Sequence, residues 1–203
     1  MTYLISILIP TLIERRQTFN FMIEKLYRQI ETHNLQDKIE IISICDDRSV
    51  PLSVKRNRMQ DMSSGTYFTH LDDDDNFTDN YCKSVIDHIE NNLTDLVDVI
   101  TYDQLCFVQN SKFIVKQKID HPMSLVRAGD HQNLPVFYRY PWQYCLWNSK
   151  KYKKVWRTDS DTNAREDQNW LNRIQLEYPE SQSNIDFIGH EYHYEDPSQT
   201  TCQ

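Results

Sequence analysis

Four aspartates stand side by side at Asp72–Asp75, inside the stretch GTYFTHLDDDDNF that runs from Gly65 to Phe77. Adjacent carboxylates repel one another, so the run is either a solvated acidic turn or a cage for a divalent cation. Mg²⁺ and Mn²⁺ prefer hard oxygen ligands. Mg²⁺ commonly takes one or two carboxylates and completes its shell with water and ligand phosphates. In an extended Asp-x-Asp the first and third side chains fall on one side, so Asp72 and Asp74 can serve one ligand complex together. An EF-hand fails on pattern, because neither its glycine nor its twelfth-position glutamate is present.

Other residues could share that chemistry. Asp46 and Asp47 could accept a hydrogen bond from a base or ribose, or simply cap a helix. Lys55 and Arg56, in VKRN, sit where they could meet an anionic or planar group. Glu166 and Asp167 open a helical pattern, either as dipole-favoured acids or with one carboxylate as general base toward a hydroxyl. His190 and His193 lie near the last strand, where either could reach a metal or a phosphate. Trp142, Tyr144 and Trp147 could stack on a sugar face or fill the core.

The elements that must position these residues are legible in the hydrophobic pattern. LISILIP is a nearly continuous apolar run stopped by Pro10, as in a strand covered on both faces. A helix is predicted over residues 15–32, with Phe19, Ile23, Leu26 and Ile30 along one stripe. KIEIISIC is a second strand ending at Asp46-Asp47, a short helix spans about 54–62, and TYFTHL is a third strand ending on the aspartates. Thr78 can cap another helix, with Tyr81, Val85 and Ile89 four apart. This β-α alternation implies a parallel sheet, whose ligands sit beyond the carboxyl ends of the strands. Pro10-Thr11, Asp46-Asp47 and Asp72–Asp75 all fall on that edge.

The second half is less regular. LVDVITYDQLCFVQNSKFIVKQKI reads as strands with a hairpin turn at Asn110-Ser111. REDQNWLNRIQLEY reads as a helix with Trp170, Leu171 and Ile174 inward, and NIDFIGHEYHYED as a strand with an exposed, histidine-rich end. One domain with two subregions is expected, residues 1–103 and 104–203, the latter including the irregular segment 120–161.

Composition narrows the function classes. The 203 residues are 39% hydrophobic and 26% charged, enough for one domain with a real core. A net charge of −8 argues against a surface adapted to bare nucleic acid or an acidic membrane. With only three glycines, a glycine-rich phosphate loop is not available, so a bound phosphate must be held by other means. Five widely spaced cysteines without a CxxC suit a reduced, cytoplasmic protein. YLISILI is too short to span a bilayer. The Asn76 and Asn92 sequons then carry no meaning.

Set in order, these pieces resemble the family 2 glycosyltransferases of the GT-A fold. ISILIPT looks like that family's opening strand, and EIISICDDRS like its VDDGS strand end with Arg48 in place of glycine. KRN…SSGTYFTHLDDDD is very close to its ARN…GEYI.FLDDDD stretch, and REDQNWLNRI resembles its EDwdl..R segment. The resemblance covers the first ninety residues well and the remainder only at Glu166-Asp167 and loosely near the C-terminal histidines.

It implies an α/β fold of the GT-A type: a Rossmann-like, mostly parallel sheet with helices on both faces, in one domain. It also implies a nucleotide-diphosphate sugar donor, UDP-linked by preference, and a glycan or other hydroxyl acceptor. Thr11, Asp46 and Arg56 would contact the base, with Pro10, Asp47 and Asp73 beside them, and Asp72 would reach the ribose or sugar. Asp74 would bind Mn²⁺ or Mg²⁺, with His193 as the second metal candidate because HYEDPSQT resembles the family's ending. Asp167 would be the catalytic base beside Glu166, acting with inversion, and Trp142, Tyr144 and Trp147 would face the acceptor. A processive membrane-bound polymerase is not expected of so short a chain. A sugar-phosphate nucleotidyltransferase ranks below, since PTLIERRQTF lacks that class's glycine-rich loop. A non-catalytic metal- or sugar-binding module is the remaining alternative.

Overall fold

The structure is a computed structural model that describes residues 3–92, 94–121, 126–131, 134–157 and 166–194. Residues 195–203, Cys202 among them, and parts of the 120–161 segment lie outside the described residues.

β1 (Ile5–Leu12) is the apolar run, which Pro10 does not stop, since pairing with the neighbouring strand continues to Leu12; Ile7, Leu8 and Ile9 have no exposed surface. It lies parallel between β2 (Ile39–Asp46), which pairs it through Leu12↔Asp46, and β3 (Tyr67–His70), which pairs through Leu8↔His70. β2 is the outer strand of the sheet, so Ser43 and Cys45 are exposed and most of its isoleucines are only partly covered. Its sequence resembles that of β1; position in the sheet makes the difference. The strand order continues from β3 through β9 (Leu146–Asn148) to β5 (Val99–Val108), β6 (Ser111–Gln117), β8 (Leu134–Arg139) and β7 (Val126–His131). β9 is antiparallel to both β3 and β5, so β5 again runs in the direction of β3. β10 (Gln182–Tyr194) runs parallel along β5 and pairs antiparallel with the two-residue β4 (Asn76–Phe77). That last pairing ties the final described strand to the residues just after the aspartates.

Helices cover both faces. α1 (Arg16–Thr32) buries Met22, Leu26, Gln29 and Ile30, and its Gln29 donates to the Thr78 carbonyl and accepts from the Cys82 N–H at the start of α3 (Tyr81–Asn92). The Thr78 hydroxyl has no partner among the described residues, so the carbonyl rather than the expected side-chain cap begins that helix. On the other face lie α2 (Leu52–Met62) and α5 (Glu166–Leu176). Alternation along β3 separates the two layers: Phe68 and His70 meet Trp170 of α5, while Thr69 meets Tyr81 of α3. Trp147, Trp170, Tyr67, Tyr81, Tyr102 and Phe68 are all fully buried, each side chain contributing about 1.5–3 kcal/mol or more by leaving water. A one-turn helix, α4 (Ser149–Tyr152), follows β9. β5 spans residues 103 and 104, so the two subregions share a strand. The architecture is the expected mixed α/β sheet of one small domain, with β1, β2 and β3 parallel.

Candidate functional site

The carboxyl ends of β1, β2 and β3 converge on one edge, and the polar residues there interlock. Thr11, nearly buried, donates its hydroxyl to Asp73 Oδ2 at 2.7 Å. Pro10 is buried within β1 beside it. Asp46 accepts Lys55 Nζ at 2.5 Å and the Val50 N–H at 2.7 Å, and these bonds outweigh burial to hold its carboxyl below the usual range. Asp47 is exposed, its pKa lowered by the Ser49 hydroxyl. Lys55 also donates to the Thr11 carbonyl at 3.2 Å, so it joins the ends of β1 and β2 from inside.

Each member of the aspartate run has a protein partner. Asp72 pairs with Arg56 Nη2, and Arg15 Nη2 lies 2.7 Å from both Asp73 Oδ1 and Asp74 Oδ2. Asp75 closes the turn by accepting the Asp72 N–H at 2.7 Å, while its other oxygen meets His190 Nε2 at 3.0 Å. The donors in that chain can be assigned. The Tyr144 hydroxyl donates to Gln104 Oε1, so Gln104 presents its amide N–H to His190 Nδ1, and Nε2 is left as the donor to Asp75. Burial pushes the Asp73 and Asp75 carboxyls up, opposed by Thr11 and Arg15 in one case and by His190 in the other. Repulsion among four carboxylates is thus met by the charges of two arginines and a hydrogen bond from His190.

α5 brings the second acidic pair. Glu166 is buried and bridges two buried arginines, Arg56 Nε at 3.0 Å and Arg157 Nε. Arg157 donates to Gln143 Oε1 at 2.9 Å, contacts His70 Nε2 at 3.2 Å and lies over the Trp170 ring at 4.6 Å. Burial lowers the Arg157 pKa to about 10, which leaves it charged near neutrality. His70 is held well below its ordinary pKa, first by burial and then by Arg157 and Arg56, so it is neutral. Asp167, next in sequence but only half-buried, has its pKa raised by burial and by the Glu166 charge. The two neighbours therefore differ in role: Glu166 anchors the helix start, and Asp167 is the more accessible carboxylate.

Thr11, Asp46, Arg56, Asp72, Asp73, Asp74 and Asp167 therefore belong to one connected edge. His193 does not join it: it is half-exposed and stacks on Phe107 at 4.4 Å. His190 reaches the run instead. Tyr144 is buried against His190 at 4.8 Å, Trp147 is wholly buried against Trp170 at 5.7 Å, and Trp142 is partly covered with the Arg139 guanidinium over its ring at 3.8 Å. Tyr144 and Trp147 are core aromatics here, and Trp142 alone of the three keeps accessible surface. Arg15 and Arg157 were not legible as site residues, because their proximity depends on the 3₁₀ turn Ile13–Arg15 and on a contact across a hundred residues.

Asp74 is the most accessible member of the run, with 55% of its side chain exposed against 45% for Asp72. Among the described residues no group of three or more His, Cys, Asp or Glu side chains is arranged to hold an ion. The two accessible carboxylates, Asp72 and Asp74, do fit a cation that draws its other ligands from phosphate and water.

No protein-family model matches the chain. No curated protein matches it either. Solved structures do. S. aureus TarS 1–349 in complex with UDP-GlcNAc matches with a TM-score of 0.60 at 11% identity, covering 95% of this chain and 59% of that one. The same protein in complex with UDP matches at 0.60 and 11%, covering 93% and 60%, and without a named ligand at 0.58 and 11%, covering 95% and 60%. The chain therefore spans less than two thirds of the structures it resembles. At this identity the likeness establishes the fold, and the fold is GT-A-like.

Proposed function

We propose that the protein is a glycosyltransferase that moves a sugar from a nucleotide-diphosphate sugar, UDP-linked by preference, to an acceptor hydroxyl with inversion. One observation carries this reading. The strand-end residues Thr11, Asp46 and Asp72–Asp74 share one edge with Asp167 through Arg56, which pairs with both Asp72 and Glu166. The likeness of the sheet to TarS, solved with UDP-GlcNAc, supports a nucleotide-sugar donor at that edge.

Asp46 and Thr11 would receive the base and ribose, and Asp72, steadied by Arg56, the ribose or sugar. Asp74 would hold Mn²⁺ or Mg²⁺, which when bound supplies Lewis-acid stabilisation of the charge on the departing diphosphate. Asp167 would take the acceptor's proton as attack begins, a task suited to a carboxylate whose pKa has been lifted. Glu166 positions Asp167 from behind rather than touching substrate, since both of its oxygens are engaged by arginines. A thermal-shift series with UDP-, GDP- and ADP-sugars, each with and without Mn²⁺, tests the donor class. A metal-requiring rise with UDP-sugars is expected, and no rise with any nucleotide sugar would contradict the reading.

A further inference from the structure

The partners of the aspartate run differ in how easily they can be withdrawn. Arg56 has 2% of its side chain exposed and is fixed between Asp72 and Glu166. His190 is buried and held by Gln104 and the Tyr144 ring. Arg15 has 21% of its side chain exposed and rides on the short turn that follows β1. It bridges Asp73, which keeps the Thr11 hydroxyl as a second partner, and Asp74, which is 55% exposed. The Arg15–Asp74 contact can open without stripping a buried carboxylate of every partner.

Resting on the metal–diphosphate reading above, we infer that Arg15 is a resident competitor for the divalent cation that exchanges Asp74 for the donor's diphosphate. A carboxylate oxygen engaged by a guanidinium is screened from a metal, and the guanidinium charge repels a dication at the same place. Once Asp74 turns to the cation, the Nη2 N–H that it held can donate to a phosphate oxygen while Asp73 keeps its own contact to the same nitrogen. A chain with three glycines and no glycine-rich loop needs such a donor from another source. Arg15 stands at the carboxyl end of β1, on the edge where the diphosphate would lie. Cation and donor then bind in favour of one another, because the arginine displaced by the first is used by the second.

The two effects of removing Arg15 have opposite signs, which separates this role from a merely structural one. Mn²⁺ binding is read from the free-ion EPR signal for the wild type, Arg15→Lys and Arg15→Gln without nucleotide, and UDP binding by calorimetry in saturating Mn²⁺. Arg15→Gln is expected to bind Mn²⁺ about fivefold to tenfold more tightly than wild type, with Arg15→Lys between them. In saturating Mn²⁺ the same Arg15→Gln variant is expected to bind UDP about tenfold more weakly. Unchanged or weaker Mn²⁺ binding overturns the inference while leaving the transferase reading intact, as does unchanged UDP affinity. No Mn²⁺ binding by any of the three, with or without UDP, overturns both the inference and the metal–diphosphate reading. If Arg15→Gln does not fold, Arg15→Lys decides the matter by the same two signs.

Discussion

A carboxylate that must draw a proton from a hydroxyl works best when its own pKa has been lifted, and the half-buried Asp167 beside Glu166 meets that condition. Asp167→Asn should lower kcat by about a hundredfold to ten-thousandfold while leaving the donor dissociation constant within about twofold, measured by initial rates and calorimetry. A binding module would show no turnover in either form. Because the base acts when ionised and its pKa is raised, kcat should decline on the acid side at a pH above the ordinary aspartate value of about 3.9. Glu166 predicts a different outcome. Glu166→Gln leaves Arg56 and Arg157 buried without their shared counter-charge, and a loss of about 3–5 kcal/mol is expected in chemical denaturation. The residue types at Asp72–Asp75 and Asp167 are legible in sequence because a short local pattern sets them. Arg15, Arg157 and the choice of His190 over His193 are not, because strand alternation and long-range packing decide which side chain reaches the run.

Two backbone positions set how the elements present these residues. Arg48 stands where the resembling motif has glycine, and its φ of 72° is the left-handed conformation that glycine adopts freely. The turn geometry is thus kept without the glycine, and Arg48 uses its side chain to pair with Glu14. Arg48→Gly should change stability by no more than about 1 kcal/mol, whereas Arg48→Val should cost about 1–2 kcal/mol, measured by urea unfolding. Gly65 precedes β3, and a Cβ there would lie 2.6 Å from the Ser6 N and 2.7 Å from the Ile5 carbonyl carbon of β1. Long apolar runs and amphipathic helices read true from sequence: β1, α1 and α5 begin and end within about two residues of expectation, and α3 buries the predicted Tyr81, Val85 and Ile89. The β5–β6 turn falls one residue earlier, at Gln109-Asn110, with Gln109 at φ 52°. β4 and β9 are too short to leave a periodic signal, and only their neighbours in the sheet make them strands.

At the scale of the whole molecule, acid stability follows from two opposing sets of carboxylates. Asp98 is almost fully buried and accepts Lys151 and the Glu180 and Ser181 N–H groups; these outweigh burial and lower its pKa. A lowered carboxylate stabilises the fold above the ordinary range, and that contribution is lost as pH falls through the lowered value; Asp46 behaves alike. Asp73, Asp75 and Asp167 have raised values, so their contribution favours the fold in acid and is lost as pH rises. Asp98→Asn should therefore be less stable at pH 7 by about 2–3 kcal/mol and lose less further stability than wild type on acidification to about pH 3. The parallel pairing of β1, β2 and β3 was legible because β-α alternation implies it. The β5–β10 half was not, since β10 returns from the far end of the chain to lie beside β4 and β5.

We propose that the acidic turn after β3 holds a nucleotide diphosphate through a cation at Asp74. Calorimetric titration of UDP into the wild type and Asp74→Asn, each with and without Mn²⁺, addresses it directly. The account predicts Mn²⁺-dependent binding by the wild type and affinity at least about tenfold weaker in Asp74→Asn. Equal UDP affinity in the two proteins, or binding indifferent to Mn²⁺, would contradict it.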